Sequence, residues 1–285
     1  MKGNARCATY LVLQLAVDII CLSLAGLPIL FIFFIPAAQR GFFCDDFSIR
    51  HPYKESQILL VEFCYLLFPS VDGDSSKTEP QQNDHPDNTE SFGQTFFFAV
   101  KAFFLHAMGG LMLGMAAEVA HYTVGELRPN FFTVCQPKNL SACALDASAY
   151  VAMPACAGPD SLLNDDDSVN HGRTAFFSGH ASQALYHAVA ISLYLHYRFK
   201  WLDGFIVGRA SLQVLLMTVA LWVSASRIAD YQHNVTEVAT GVLIGAAWAF
   251  VVVYYFADKF RRQQRLWHKF FKWTNLDSSF EDQRI

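Results

Sequence analysis

A short polar window at 226–237 carries the residue types that phosphoryl chemistry requires. It holds an arginine, a histidine and a carboxylate within one segment of the chain. His233 and Glu237 are four positions apart, so their side chains would lie on the same face of a helix and could touch. An imidazole that is supported by a carboxylate, with Arg227 nearby, suits nucleophilic attack on a phosphoryl group. Taken alone, the window is equally well explained as the polar end of a loop.

Two other polar clusters have chemistry that complements this window. The first ends in Arg128, and the second is the run of Ser178, Gly179 and His180. Arg128 and Arg227 can each bind phosphate oxygens through bidentate, charge-assisted hydrogen bonds. Ser178 and the N–H groups of the next two residues would stand at the N-terminus of a predicted helix, where anions bind. These residues are therefore predicted to hold a phosphate group.

Two histidines in the clusters could divide the chemistry between a nucleophile and a general acid. Only His233 has a carboxylate, that of Glu237, one helical turn away to fix its tautomer and support a positive charge. We therefore predict that His233 is the nucleophile. His180 is then predicted to donate a proton to the leaving oxygen.

The composition places these clusters in a membrane protein. The 285-residue chain is 53% hydrophobic and only 16% charged, and its apolar residues occur in long blocks. A helix of about 20 apolar residues crosses the hydrocarbon core of a bilayer. Six such spans are predicted, at about 9–35, 57–71, 95–120, 179–197, 205–223 and 235–256. The predicted fold is all-α, with a six-helix membrane domain over 1–258 in which the span 57–71 is the shortest.

Both termini are predicted to be cytosolic, because most of the 21 lysines and arginines fall on the side that holds them. The three clusters would then share the extracellular or lumenal face. Asn139 begins a glycosylation sequon on that side. The predicted outer loops also contain four cysteines, which fits an oxidising compartment and leaves three pairings open: Cys44, Cys135, Cys143 and Cys156. The plasma membrane is the favoured compartment, and the endoplasmic reticulum or Golgi is the alternative.

Two further segments lie outside the predicted bundle. The acidic segment 72–94 predicts a disordered cytosolic loop. The basic and aromatic tail 259–285 is typical of an interfacial helix that binds anionic membrane lipids, or of a simple topology anchor. The net charge of −4 gives no indication of a nucleic-acid partner, and the sequence leaves open whether the protein is a homo-oligomer.

Together, the three clusters resemble the signature of the lipid phosphate phosphatases, the membrane branch of the type 2 phosphatidic acid phosphatase superfamily. That signature is a lysine, six residues and Arg-Pro, then Ser-Gly-His, then Ser-Arg, five residues, His, three residues and Asp. The segments 40–46 and 51–55 also resemble the first outer loop of the family. The resemblance implies hydrolysis without a metal or other cofactor, through a phosphohistidine on His233 with His180 as the acid. It also implies a set of phosphate-binding residues, namely Arg128, Arg227, Ser178 and Gly179.

The substrates that the resemblance implies are phosphatidate, lysophosphatidate, sphingosine 1-phosphate and ceramide 1-phosphate. The chain departs from the signature at two positions, with His121 in place of the lysine and Glu237 in place of the aspartate. His121 binds phosphate as a cation only when it is protonated. The extra methylene of Glu237 would shift its carboxylate by about 1 Å. We therefore expect a reduced rate and an acid-shifted optimum.

Three alternatives compete with this interpretation. The first is a pseudophosphatase that binds lysolipids or partner proteins without turnover. The second is a metal enzyme in which His180, His233 and Glu237 are ligands. The third is a transporter, which the placement of most ionisable residues at the ends of the spans disfavours.

Overall fold

A computed structural model describes residues 37–54, 88–138, 140–156, 166–198 and 206–256, together with scattered helical residues between 13 and 27. Several predicted features fall wholly or largely outside this part of the chain, namely the spans 9–35 and 57–71, the sequon residue Asn139 and the tail 259–285.

Four long helices form the body of the described structure. They are α1 (Asn88–Val124), α5 (Gly179–Arg198), α6 (Ile206–Ala229) and α7 (Val235–Val251), and a π-helical turn, Val252–Phe256, continues α7. The short helices α2 (Phe131–Cys135), α3 (Ser141–Leu145) and α4 (Asp166–His171) lie in the connection between α1 and α5.

The long helices differ from the predicted spans at their ends. The first of them begins at Asn88, inside the segment 72–94 that was expected to be disordered. It also continues to Val124, so that His121 lies in its last turn. In the same way α6 continues to Ala229, which places Arg227 on the helix rather than in the predicted loop. Two of the predicted site residues are therefore held on helix ends.

Within the described residues, three helical segments are long and apolar enough to cross a membrane, namely Ala102–Val124, Ile206–Ala229 and Val235–Tyr254. The predicted span 179–197 coincides with α5, whose 20 residues rise about 30 Å but are more polar. Its position explains that polarity, because α5 packs against each of α1, α6 and α7. A central helix can bury polar side chains such as Ser182 and His187 away from lipid.

Small residues allow α7 to approach α5 closely. A Cβ atom added at Gly241 would lie 2.6 Å from the carbonyl oxygen of Ser178, and one added at Gly245 would collide with the backbone of Ser182. Glycines four positions apart on one helix face are the usual means of close helix packing in membranes. This contact fixes the beginning of α5 against the beginning of α7.

A small cap covers one end of the bundle. It contains a two-stranded antiparallel ribbon, β1 (Phe42–Phe43) with β2 (Tyr150–Val151), which the all-α prediction did not include. Two disulfides hold the cap, Cys44–Cys143 and Cys135–Cys156, and so select one of the three pairings that the sequence left open. Apolar side chains from 37–54 and from α2 pack beneath the ribbon, including Phe42, Ile49 and Phe131.

Candidate active site

The turn between α6 and α7 positions His233. Tyr231 adopts a left-handed backbone conformation, with φ of 54°, which lets the chain reverse after Ala229. Its ring is stacked on that of His51, with 4.6 Å between the centroids, and Lys54 Nζ lies 4.7 Å from the same centroid. The loop 37–54 thus braces a strained turn directly beside the predicted nucleophile.

His233 is buried and its tautomer is fixed. Nδ1 lies 2.8 Å from the carbonyl oxygen of Ala175 and 3.1 Å from Oε2 of Glu237. Both partners can only accept a hydrogen bond, so Nδ1 carries the proton. Nε2 therefore keeps its lone pair, as a nucleophilic imidazole requires.

Glu237 is held in place from two directions. Its Oε2 also accepts a hydrogen bond from the backbone N–H of Asn234 at 3.0 Å, and its Oε1 accepts one from Nδ2 of the same residue at 3.2 Å. Asn234 is the N-cap of α7, so these bonds belong to the capping of the helix. The longer side chain of Glu237 thus reaches His233, and the expected displacement does not break the contact.

The pKa of His233 lies well below its usual value, because burial disfavours the imidazolium and because Arg128 and His121 are close. The hydrogen bond to the carbonyl of Ala175 acts in the opposite direction. His233 is therefore neutral near pH 7, which is the protonation state of a nucleophile.

The two predicted phosphate-binding arginines are buried and close enough to His233 to affect its pKa. Arg227 donates from Nη2 to Oδ2 of Asp230 at 3.3 Å and to Oγ of Ser226 at 3.1 Å. Arg128 donates from Nη1 to Oε1 of Gln232 at 2.6 Å. Burial lowers the pKa of Arg128 to about 10, so this side chain stays cationic at neutral pH.

His121 lies against the beginning of α5. Its Nε2 donates to the carbonyl oxygen of Phe177 at 2.8 Å, and its Nδ1 lies 3.6 Å from Oε2 of Glu118. A Cβ atom placed on Gly179 would lie 3.7 Å from Cε1 of His121. An acceptor at each ring nitrogen thus holds His121 beside the N-terminus of α5.

Ser178 lies at the beginning of α5, as expected. Its backbone N–H donates to the carbonyl oxygen of Glu237 at 3.2 Å, and its hydroxyl accepts from the N–H of Ala181 at 3.5 Å as a cap of α5. Ser178 therefore ties α5 to α7. The N–H groups of Gly179 and His180 lie in the first turn of α5, where N–H groups lack an intrahelical partner and anions can bind.

His180 is half-buried at the same end of α5. It lies within electrostatic range of His233 and of three cationic or titratable side chains, Arg227, Arg128 and His121. The structure thus brings together every predicted site residue that it describes. It leaves aside only Asn139, which is outside the described part.

Three residues near the site had no role in the sequence-based prediction. Asp230 pairs with Arg227, and Gln232 both accepts from Arg128 and donates from Nε2 to the carbonyl oxygen of Lys54 at 3.0 Å. Asp230 and Gln232 could have been identified as candidates from the sequence, because both lie inside the window 226–237. His171, at the end of α4, had no such signal. Its pKa is lowered to about 3, mainly by the positive charge of Arg128, which places it beside the site.

Other features of the described residues do not contribute to this cluster. Among them, no three His, Cys, Asp or Glu side chains are arranged to hold a metal ion. A groove of ≈ 580 Å³ between α5 and α6 is lined mainly by apolar side chains, such as Val189, Leu193 and Met217. It lies toward the C-terminal end of α5, away from His180, and is not part of the site.

The fold and the site define an α-helical membrane protein with a buried cationic cluster and a neutral, oriented histidine. Residues 101–261 match the family model of the PAP2 superfamily. The chain is 33% identical over 255 residues to mouse phospholipid phosphatase 1, a match that covers 86% of this chain and 85% of the relative. It is 30% identical over 248 residues to human phospholipid phosphatase 2, with 86% and 83% covered. No solved structure matches the chain.

The chain belongs to the PAP2 superfamily. This membership confirms the resemblance to lipid phosphate phosphatases that the three clusters suggested, and with it the class of enzyme, a phosphatase. Together with the three apolar helices, it also makes the chain an integral membrane protein.

Proposed function

We propose that the protein is a metal-independent lipid phosphate phosphatase that acts through a phosphohistidine on His233. The observation that carries this proposal is the fixed tautomer of His233. Because Nδ1–H is held by Ala175 and Glu237, the free Nε2 is the atom that can attack phosphorus.

The first step transfers the phosphoryl group to the protein. Nε2 of His233 forms a bond to phosphorus while the bond from phosphorus to the lipid oxygen breaks. His180 donates a proton to that oxygen, and the lipid leaves as an alcohol. The developing charge on the phosphoryl oxygens is stabilised by Arg128, Arg227 and the N–H groups at the beginning of α5.

The second step releases inorganic phosphate. Neutral His180 accepts a proton from a water molecule as its oxygen attacks phosphorus, and the bond to Nε2 of His233 breaks. Glu237 supports the positive charge that His233 carries in the intermediate. The site returns to its starting state without a cofactor, because no electrons are gained or lost.

The proposed substrates are phosphatidate, lysophosphatidate, sphingosine 1-phosphate and ceramide 1-phosphate, presented from the extracellular or lumenal leaflet. A site at one end of the helices suits such lipids, since the head group can enter while the acyl chains stay in the bilayer. The proposed topology has six spans with cytosolic termini. The two disulfides support it, because they lie in the cap on the same side as the site.

Phosphate release from short-chain phosphatidate in the presence of EDTA tests the proposal. We expect turnover that EDTA does not reduce and that His233→Ala abolishes. Loss of activity in EDTA would indicate the metal enzyme instead. Binding of the lipid without phosphate release would indicate a pseudophosphatase, an alternative that the intact contacts of His233 disfavour.

A further inference from the structure

A small cavity adjoins Arg128, one of the two proposed phosphate-binding arginines. It has a volume of ≈ 60 Å³, and its walls include Tyr53, Arg128, Asn130, His171 and Gln232. This volume accommodates one or two groups of the size of water. Neither His180 nor His233 lines it, so the cavity is distinct from the position of the reacting phosphorus.

Two buried polar atoms of this cavity's residues lack a partner. Within the described ranges, neither Oδ1 of Asn130 nor Nε of Arg128 has a hydrogen bond. The side chain of Asn130 is only 2% exposed, and Arg128 is only 6% exposed. Buried polar groups are nearly always paired, so these two atoms indicate a ligand group or a bound water.

The two atoms together define the chemistry of that group. Nε of Arg128 is a donor and Oδ1 of Asn130 is an acceptor. A phosphate oxygen would suit the arginine but would repel the carbonyl oxygen of Asn130. A hydroxyl both donates and accepts, so it satisfies both atoms, and it would pair with either end of the Asn130 amide.

We propose that this cavity is a hydroxyl subsite, which selects lipid phosphates that carry a free hydroxyl next to the phosphate-bearing carbon. The inference rests on the proposed function and specifies its substrate class. Lysophosphatidate has such a hydroxyl. Phosphatidate has an ester at that position, which accepts hydrogen bonds but cannot donate one to Asn130. Arg128 borders both the proposed phosphate position and the subsite, so its side chain would bind the phosphate and the hydroxyl together.

The test compares kcat/KM for a short-chain lysophosphatidate with kcat/KM for the same lipid without its free hydroxyl. The full chain is assayed in mixed micelles of one composition. We expect the unsubstituted protein to prefer the hydroxyl-bearing lipid by about fivefold to tenfold, the effect of one or two net hydrogen bonds. In Asn130→Leu, which removes the acceptor at similar volume, this ratio should fall to about 1.

Val134→Ala is the matched control, because Val134 lines the same cavity without a polar group. Its ratio should equal that of the unsubstituted protein. Equal kcat/KM values for the two lipids in the unsubstituted protein would overturn the subsite and would indicate that the cavity holds only water. A preference that survives Asn130→Leu unchanged would overturn the assignment to Asn130.

The same assays distinguish a failure of the proposed function from a failure of the subsite. It fails if neither lipid releases phosphate, or if His233→Ala still releases it. In that case the affinities of the two lipids for the His233→Ala protein, measured by calorimetry, decide the subsite through the same ratio. Equal affinities overturn it, and an affinity about fivefold tighter for the hydroxyl-bearing lipid supports it.

Discussion

At the scale of single residues, the contact between His233 and Glu237 does two things at once. It holds the proton on Nδ1, and it places a negative charge beside an imidazole that becomes positive in the proposed intermediate. Asn234 fixes the carboxylate from its other side. The residue that replaces the family aspartate is therefore integrated into the helix cap as well as into the site.

We predict that Glu237→Gln lowers kcat by about 10- to 100-fold. Glutamine keeps the size of the side chain and an oxygen that can accept from Nδ1, but it removes the charge that supports the imidazolium. The measurement is steady-state phosphate release from a short-chain lipid phosphate. Val235→Ala, an exposed neighbour on α7, should retain full activity. An unchanged kcat in Glu237→Gln would contradict the role of the carboxylate.

The pH dependence follows from the lowered pKa of His233. Protonation destroys the nucleophile, so activity is lost as the pH falls through this pKa, well below 6.5. On the alkaline side, Arg128 stays charged until the pH approaches about 10. The alkaline decline should come earlier, from loss of the proton that His180 must hold to act as the acid, which gives an acid-shifted optimum.

The measurement for this prediction is the pH profile of kcat/KM in the unsubstituted protein and in His121→Lys. A lysine at position 121 is a permanent cation at neutral pH, so the substitution should strengthen phosphate binding and raise activity there. Superimposable profiles would show that the charge of His121 has no part in phosphate binding. An acid limb with a midpoint at or above 6.5 would contradict the assignment of His233.

At the scale of elements, the site depends on how closely α7 packs against α5. We predict that Gly245→Ala lowers the free energy of unfolding by about 1–3 kcal/mol, the usual cost of overpacking. The added methyl group would meet the backbone of Ser182, which cannot rotate away as a side chain could. Activity should fall as well, because separation of the helices moves Ser178 and His180 from His233.

Thermal unfolding in detergent, followed together with phosphate release, checks this prediction. Gly208→Ala on α6 is the matched control, since no heavy atom lies within 4 Å of the added group. It should leave activity unchanged and stabilise the helix by up to about 1 kcal/mol. If both variants behave alike, the close contact between α5 and α7 is not what holds the site.

The helices and the cap also show which structural features could be predicted from the sequence and which could not. The four-residue interval predicted the contact between His233 and Glu237, although His233 lies in the turn before α7 and not on the helix as expected. The polar face of α5 could not be predicted, since it depends on three neighbouring helices that bury it. His171 was missed for the same reason, because only the path of the cap brings α4 to Arg128. The pairing of the cysteines likewise required the folded cap.

At the scale of the whole molecule, the cap joins segments that are far apart in the chain. The disulfide Cys44–Cys143 spans a sequence separation of 99 and holds the loop 37–54, whose Lys54 carbonyl accepts from Gln232. We predict that Cys143→Ser lowers both the unfolding midpoint and kcat/KM. The loop closed by the bridge is long, and removal of a native disulfide typically costs about 2–5 kcal/mol.

The checks for this prediction are thermal unfolding and activity, with Cys21→Ser as the control. Cys21 is exposed and has no disulfide, so its substitution should change neither quantity. Dithiothreitol should lower both quantities at least as much in the unsubstituted protein, and any further loss in the variant would report the second bridge, Cys135–Cys156. Full activity after complete reduction would show that the loop 37–54 keeps its place without the bridge.

The orientation of the molecule gives the last prediction, since the cap and the site lie at one end of the helices. Disulfides form in oxidising compartments, and the sequon at Asn139 lies in the chain between Cys135 and Cys143, two cysteines of the cap. We predict a glycan on Asn139, so that Asn139→Gln and glycosidase treatment produce the same increase in gel mobility. A second sequon, Asn234-Val235-Thr236, should carry no glycan, because Asn234 Nδ2 is bonded to Glu237 and the residue caps α7 beside the site. A glycosidase shift that persists in Asn139→Gln would contradict this assignment.

A free N-terminus that a protease reaches from outside intact cells would reverse the proposed orientation, and with it the side on which the lipid is hydrolysed.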